Sequence, residues 1–182
     1  MENAFEKLDQ EICKFYEEIS ITAASLEFTT LCEFTPGDKL DEDVLSRLSC
    51  PGVYLIEVKT ENGFTSFKDW VVDFRSAWEM PEYIYQFVPN LKKKRIESHT
   101  ELEEWVPIYL GKSKWLRSRI VEHLEMNLMR HTFALKLNAR QNMKGKKFRI
   151  GMISIPVKNY DWIVPIVENV QREKINPIIG KK

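Results

Sequence analysis

Val106-Pro107-Ile108-Tyr109-Leu110-Gly111-Lys112-Ser113-Lys114-Trp115-Leu116-Arg117-Ser118-Arg119 is the stretch on which the reading of this chain turns. Val106 to Gly111 is a short apolar run with β-branched residues, which suits a strand. Leu116, Ile120, Leu124 and Leu128 then fall on one helical stripe, with Ser113 placed to N-cap it. A strand running directly into a helix is predicted. Gly111 stands at the corner with Lys112 beside it, where helix N-terminal N–H groups can meet an anion.

Working outward, Pro51-Gly52 precedes Val53 to Val58, a run apolar on both alternations that predicts a buried central strand. Downstream, Thr132 to Arg140 reads as continuing helix, Lys144-Gly145-Lys146-Lys147 as a basic turn and Phe148 to Ile155 as a third strand. The inward set of that strand shifts from Phe148, Ile150 and Met152 to Ile153 and Ile155, which predicts a bulge. Asp161 to Ile175 forms a final helix stopped by Asn176-Pro177. Near the N-terminus, Phe5, Leu8, Ile12, Phe15 and Ile19 repeat at three and four, the period of an amphipathic helix. Thr35 to Asp38 reads as a turn and Asp41 to Leu48 as a second short helix. Residues 1–50 are thus expected to be an acidic helical extension, and residues 51–182 the core. Residues 60 to about 105 fit neither period and are expected to form an irregular, partly helical insertion.

Composition narrows the class. With 182 residues, 43% hydrophobic and 30% charged, the chain is expected to fold as one soluble unit, and no apolar run is long enough to span a bilayer. The charged N-terminus gives no sign of an export signal, so a cytoplasmic location is expected. Cys13, Cys32 and Cys50 lack metal-ligand spacing and read as reduced thiols. The net charge of zero hides a gradient. Residues 1–104 hold 11 Lys and Arg against 22 Asp and Glu, a balance of −11, and residues 105–182 hold 16 against 5, a balance of +11. Such a basic half attracts phosphate.

Three features carry chemistry. Gly111-Lys112-Ser113 matches the end of a phosphate-binding loop, but the first glycine of that motif would stand at Val106, which removes the backbone freedom the loop needs. Arg119 and His123, four apart, share a helix face: a guanidinium matches phosphate oxygens and an imidazole can move a proton near neutral pH. Glu168 follows the apolar run Ile163 to Val167, an unusual place for a carboxylate unless it is paired or binds metal. One carboxylate suffices for magnesium, which keeps waters and substrate oxygens in its shell.

From Pro51 onward these residues resemble the GIY-YIG nuclease family. Gly52-Val53-Tyr54 is similar to the first signature triplet and Tyr109-Leu110-Gly111 to the second, and Gly111 to Arg119 is similar to the family's G-K-x-x-N-L-R-x-R stretch, with Trp115 in place of the asparagine. In excision-repair members the catalytic arginine stands eight residues after the second-triplet glycine, which selects Arg119 over Arg117, and His123 takes the place of a Tyr or His four residues later. Glu168 and Pro177 fit the family's E-x8-P segment. Departures are the 55-residue separation of Tyr54 from Tyr109 and Gly180 where an Asn often stands, and no separate DNA-binding domain is expected within these 182 residues.

The resemblance implies an α+β fold with a small mixed or antiparallel three-stranded sheet flanked by helices and a site spread across one sheet face. It implies a metal-dependent endonuclease hydrolysing phosphodiester bonds in DNA, with restriction or phage defence ahead of repair and homing as its setting. One Mg2+ or Mn2+ would be held by Glu168, Arg119 would neutralise growing charge, and Tyr54, Tyr109 or His123 would be the general base. Lys112 joins them. Lys114, Arg117, Lys144, Lys146 and Lys147 are the expected DNA contacts. Two competing readings are an inactive nucleic-acid-binding module, motivated by Gly180 and Trp115, and a homodimer joining acidic to basic halves.

Overall fold

The computed structural model describes residues 3–180. Helix α1 (Ala4–Ser25) leads into strand β1 (Thr29–Phe34), helix α2 (Glu42–Arg47) and strand β2 (Gly52–Lys59). Helix α3 (Phe67–Trp78), the helical turn α4 (Pro81–Ile84), the short strand β3 (Asn90–Leu91) and a second turn, α5 (Lys93–Ile96), fill the insertion. Strand β4 (Trp105–Ser113) runs into helix α6 (Leu116–Glu125). After 3-10 turns at Leu137–Ala139 and Gln141–Met143 come strand β5 (Phe148–Ser154), helix α7 (Tyr160–Ile175) and strand β6 (Ile179–Gly180).

Four strands make one antiparallel sheet in the order β1-β5-β2-β4, while β3 pairs with β6 apart from it. The fold is α+β, with one strand more than the three expected. The additional strand is β1, inside the segment read as helical extension, and it pairs along β5 from Thr29 opposite Met152 to Phe34 opposite Phe148. Helix α1 is tied to the same body, because the Gln171 amide donates to the carbonyls of Ala23 (2.6 Å) and Leu26 (3.0 Å). Among the described residues no helix is long and apolar enough to cross a membrane.

Both faces of the sheet are covered, which explains why Val53 to Val58 is apolar on both alternations. On one face Tyr54, Ile56 and Ile150 pack with Trp70 and Phe74 of α3 and with Leu116, Ile120 and Leu124 of α6. On the other, Val53, Leu55, Leu110 and Ile153 meet Val164 and Val167 of α7 and Ala23 of α1. The bulge expected in β5 is absent: Val53 to Val58 pair with Ile153 to Phe148 without a shift. Two covered faces give the switch in its apolar set. The register shifts fall instead at Leu31 in β1 and at Ile108 in β4, beside Pro107 on the edge strand.

Two local readings are corrected. Strand β4 continues through Ser113, whose hydroxyl accepts from the Trp115 N–H (2.9 Å), and α6 starts after Trp115 and ends before Leu128. Residues 132–140 are not helical. Lys136 adopts a left-handed conformation (φ 57°) and its buried ammonium donates to the carbonyls of Leu128 (3.0 Å) and Arg130 (2.6 Å). Arg140, fully buried, stacks 3.6 Å from the Trp78 ring and donates to the Trp78 carbonyl (3.1 Å), clamping this segment to the insertion. Burial pulls its pKa down to about 10.

Candidate functional site

On the α6 face, four side chains from two strands and a helix converge. Tyr54 is central in β2, Tyr109 lies beside it in β4, and α6 brings Arg119 and His123 over both. The His123 ring centroid is 4.7 Å from that of Tyr109 and 5.4 Å from that of Tyr54. The Leu135 N–H donates to His123 Nδ1 (3.1 Å), so that nitrogen carries no proton, and Nε2–H is assigned as donor to Tyr54 Oη (2.8 Å). Arg119 Nε donates to the same Oη (3.3 Å), Nη1 to Glu122 (2.5 Å) and Nη2 to the Phe133 carbonyl (2.5 Å). Residues 132–140 stay non-helical because Phe133 and Leu135 spend backbone groups on the site.

Two N–H donors on one phenol oxygen favour its anion, but burial and then Tyr109 outweigh Arg119 and push the Tyr54 phenol well above its ordinary range. Burial first, and Arg119 second, hold His123 well below the usual imidazole range. Burial opposes the Arg119 charge, yet Tyr54, Glu122 and Tyr109 raise its pKa overall, so the guanidinium stays charged.

Gly111 makes the network possible. A Cβ there would lie 2.5 Å from Tyr54 Oη and 3.1 Å from the Tyr109 ring. Gly52 has a backbone reason, since its Cβ would fall 2.1 Å from the Ile153 carbonyl oxygen.

Glu168 belongs to the opposite face. Its Oε2 accepts from Lys112 Nζ (2.6 Å) and its Oε1 from Arg172, one helical turn on. Tyr109 and Lys112 are three residues apart on a strand, so they point to opposite sides. The site expected on a single sheet face is therefore split about the edge strand β4. No hydrogen bond or ion pair joins Arg119 to Glu168 among the described residues; Arg95 lies between the two faces, close enough to feel both the Arg172 charge and the Tyr109 phenol.

Arg172 was not singled out from sequence, and Arg95 stands out there only as part of a basic run that could touch a phosphate backbone, with no function assigned. Arg172 stands four residues after Glu168, a spacing that signals a helix ion pair. Arg95 ends the basic run Lys92 to Arg95, and only the pairing of β3 with β6 brings it here, donating to the Pro177 carbonyl (3.2 Å). Burial, then Arg172, lower its pKa. Its guanidinium occupies the space a side chain at Gly180 would take, 2.6 Å from where a Cβ would sit. Lys94, Arg95, Asn169 and Arg172, with Glu173 beside them, line a cleft of about 230 Å³.

The other basic residues stand apart. Lys114 is paired with Asp161 (2.7 Å) and Arg117 with Glu42 (2.9 Å). Lys144, Lys146 and Lys147 lie at the far end of β2 from Gly52, where the Lys147 carbonyl accepts from the Lys59 N–H and Lys146 pairs with Glu61 (3.0 Å).

The neutral, buried His123 makes stability depend on pH. Unfolded, an imidazole takes a proton near pH 6.5, whereas in the fold it resists, so the unfolded state binds more protons below that pH. Its contribution is intact above about pH 7 and falls by roughly 1.4 kcal/mol per unit as the pH drops below about 6.5. Urea midpoints measured from pH 7.5 to 5 are expected to show this slope in the native chain and lose it in His123→Leu.

No family model, curated protein or solved structure matches this chain.

Proposed function

We propose that the protein is a metal-dependent DNA endonuclease of the GIY-YIG type. The observation that carries this reading is the meeting of Tyr54 with Tyr109, Arg119 and His123, more than fifty residues further along the chain, in one hydrogen-bonded and ring-packed cluster beside Gly111. A chance motif match has no reason to assemble in space.

Among the described residues no three metal-ligating side chains cluster, so a divalent ion would rest on Glu168 alone. Glu168 fits that role: its oxygens offer about four lone-pair sites, and Lys112 and Arg172 take one each. Bound Mg2+ or Mn2+ would supply Lewis-acid polarisation of a phosphate and stabilise a leaving oxygen. The remaining steps belong to the chain. Three of the five N–H groups of Arg119 are engaged, which leaves two to meet phosphate oxygens as their charge grows. Arg95 and Arg172 hold a neighbouring phosphate in their cleft, and Lys112 orients Glu168. His123 acts as a positioning residue, because both its nitrogens are committed inside the fold. Tyr54 holds Arg119 in place. Tyr109, beside Arg95 and Arg119, is assigned as the base: its phenolate would take the proton from water and become the phenol.

One observation favours the second reading, an inactive DNA-binding module: both Glu168 oxygens are held by cations. Incubation with supercoiled plasmid separates the two. Nicked or linear product with Mg2+ or Mn2+, and none with EDTA, is expected. Binding without cleavage of any duplex, single-stranded or branched substrate leaves the module.

A further inference from the structure

Helix α1 presents an apolar stripe that its own fold does not cover. Its C-terminal end is seated on the body through Ala23, fully buried, but Phe5 is 78% exposed, Leu8 52%, Ile12 53% and Phe15 62%. With Ile19 and Thr22 these residues repeat at alternating intervals of three and four. That is a period of 3.5, the seam that packs against a second helix carrying the same repeat. The seam runs on into an apolar cleft of about 470 Å³ at the base of α1, lined by Ile19, Thr22, Leu26, Ile155, Val157 and Ile163.

We propose that α1 pairs antiparallel with α1 of a second copy of this chain. In the register that centres the seam, Ile12 faces Phe15, Leu8 faces Ile19 and Phe5 faces Thr22, and the same pairs recur in reverse. The surface is therefore self-complementary about a two-fold axis. Phe5 and Leu8 of each copy land at the apolar cleft of the other, whereas a parallel pair would stack Phe5 on Phe5 at the free tip and leave both clefts open. Burial over both copies is on the order of 1,000 Å², the lower range of a specific interface. Glu11 and Glu18 of the two copies face each other along one flank of the seam. Salt screens that repulsion, so the pairing persists as ionic strength rises. A dimer joining the acidic half of one copy to the basic half of another would come apart under the same change. The proposal does not depend on the nuclease reading.

Sedimentation velocity on the full chain tests it, comparing the native protein with Ile12→Glu on the seam and Gln10→Glu on the outer face. Ile12 is exposed, so its variant keeps the fold, which circular dichroism checks. A native dimer that survives high salt and Gln10→Glu but becomes monomeric with Ile12→Glu is expected. Orientation is read by oxidative cross-linking in a Cys13→Ser background. The double variant Leu8→Cys/Ile19→Cys is expected to link into dimers, and Leu8→Cys alone is not. A monomeric native protein, a dimer indifferent to Ile12→Glu, or cross-linking of Leu8→Cys alone would each overturn the proposal.

Discussion

Arg119→Ala is expected to slow DNA cleavage by about 10²–10³-fold, the cost of removing one preorganised donor to a developing oxyanion. The guanidinium is fixed before substrate arrives by Tyr54, Glu122 and the Phe133 carbonyl, so little reorganisation is needed at the moment of reaction. DNA affinity should change far less, because under the proposed function Arg95, Arg172 and the wider basic surface would carry the ground-state contacts. Arg119→Lys is expected to recover little, since an ammonium lacks the planar fork that reaches Tyr54 and phosphate together. Single-turnover rates beside binding isotherms check both variants. A rate within tenfold of the native value for Arg119→Ala would remove Arg119 from the mechanism.

Gly111→Ala is expected to damage stability and activity together. The added methyl would press on Tyr54 Oη and on Tyr54 Cζ (2.8 Å), and that ring cannot retreat. Tyr54 is almost fully buried, and its oxygen is bonded to both Arg119 and His123. Overpacking of this kind costs about 1–3 kcal/mol. Displacing catalytic groups by about 1 Å can cost on the order of 10²-fold in rate. Urea denaturation and single-turnover cleavage measure the two effects separately. A variant with native stability and rate would show that the contact of Gly111 with Tyr54 has no functional weight.

Much of this arrangement was legible in the sequence. The β4-to-α6 corner, the buried β2 strand and the four-residue spacing of Arg119 and His123 follow from hydrophobic period and helix geometry. The burial and pairing of Glu168 follow from the apolar run before it. What escaped was set by contacts between distant segments. Residues 132–140 look helical, yet Arg119 takes the Phe133 carbonyl and His123 takes the Leu135 N–H, and these bonds override local propensity. Strand β1 gave a weak signal because Thr29, Thr30 and Glu33 are exposed and interrupt its apolar residues. Arg95 reaches the site only through the pairing of β3 with β6. The split of the site about β4 was readable, because Tyr109 and Lys112 have opposite parity along a strand, but assigning both to one site concealed it.

The role of Glu168 is the claim on which the nuclease reading rests most heavily. Single-turnover cleavage of plasmid DNA by the native chain and by Glu168→Ala, each with Mg2+ and with EDTA, measures it directly. DNA binding is followed in parallel. Loss of several kcal/mol of metal-dependent stabilisation corresponds to a fall of about 10³-fold or more in rate, with DNA binding retained. Cleavage that persists in Glu168→Ala at a rate close to native, or that is indifferent to EDTA, would contradict the account.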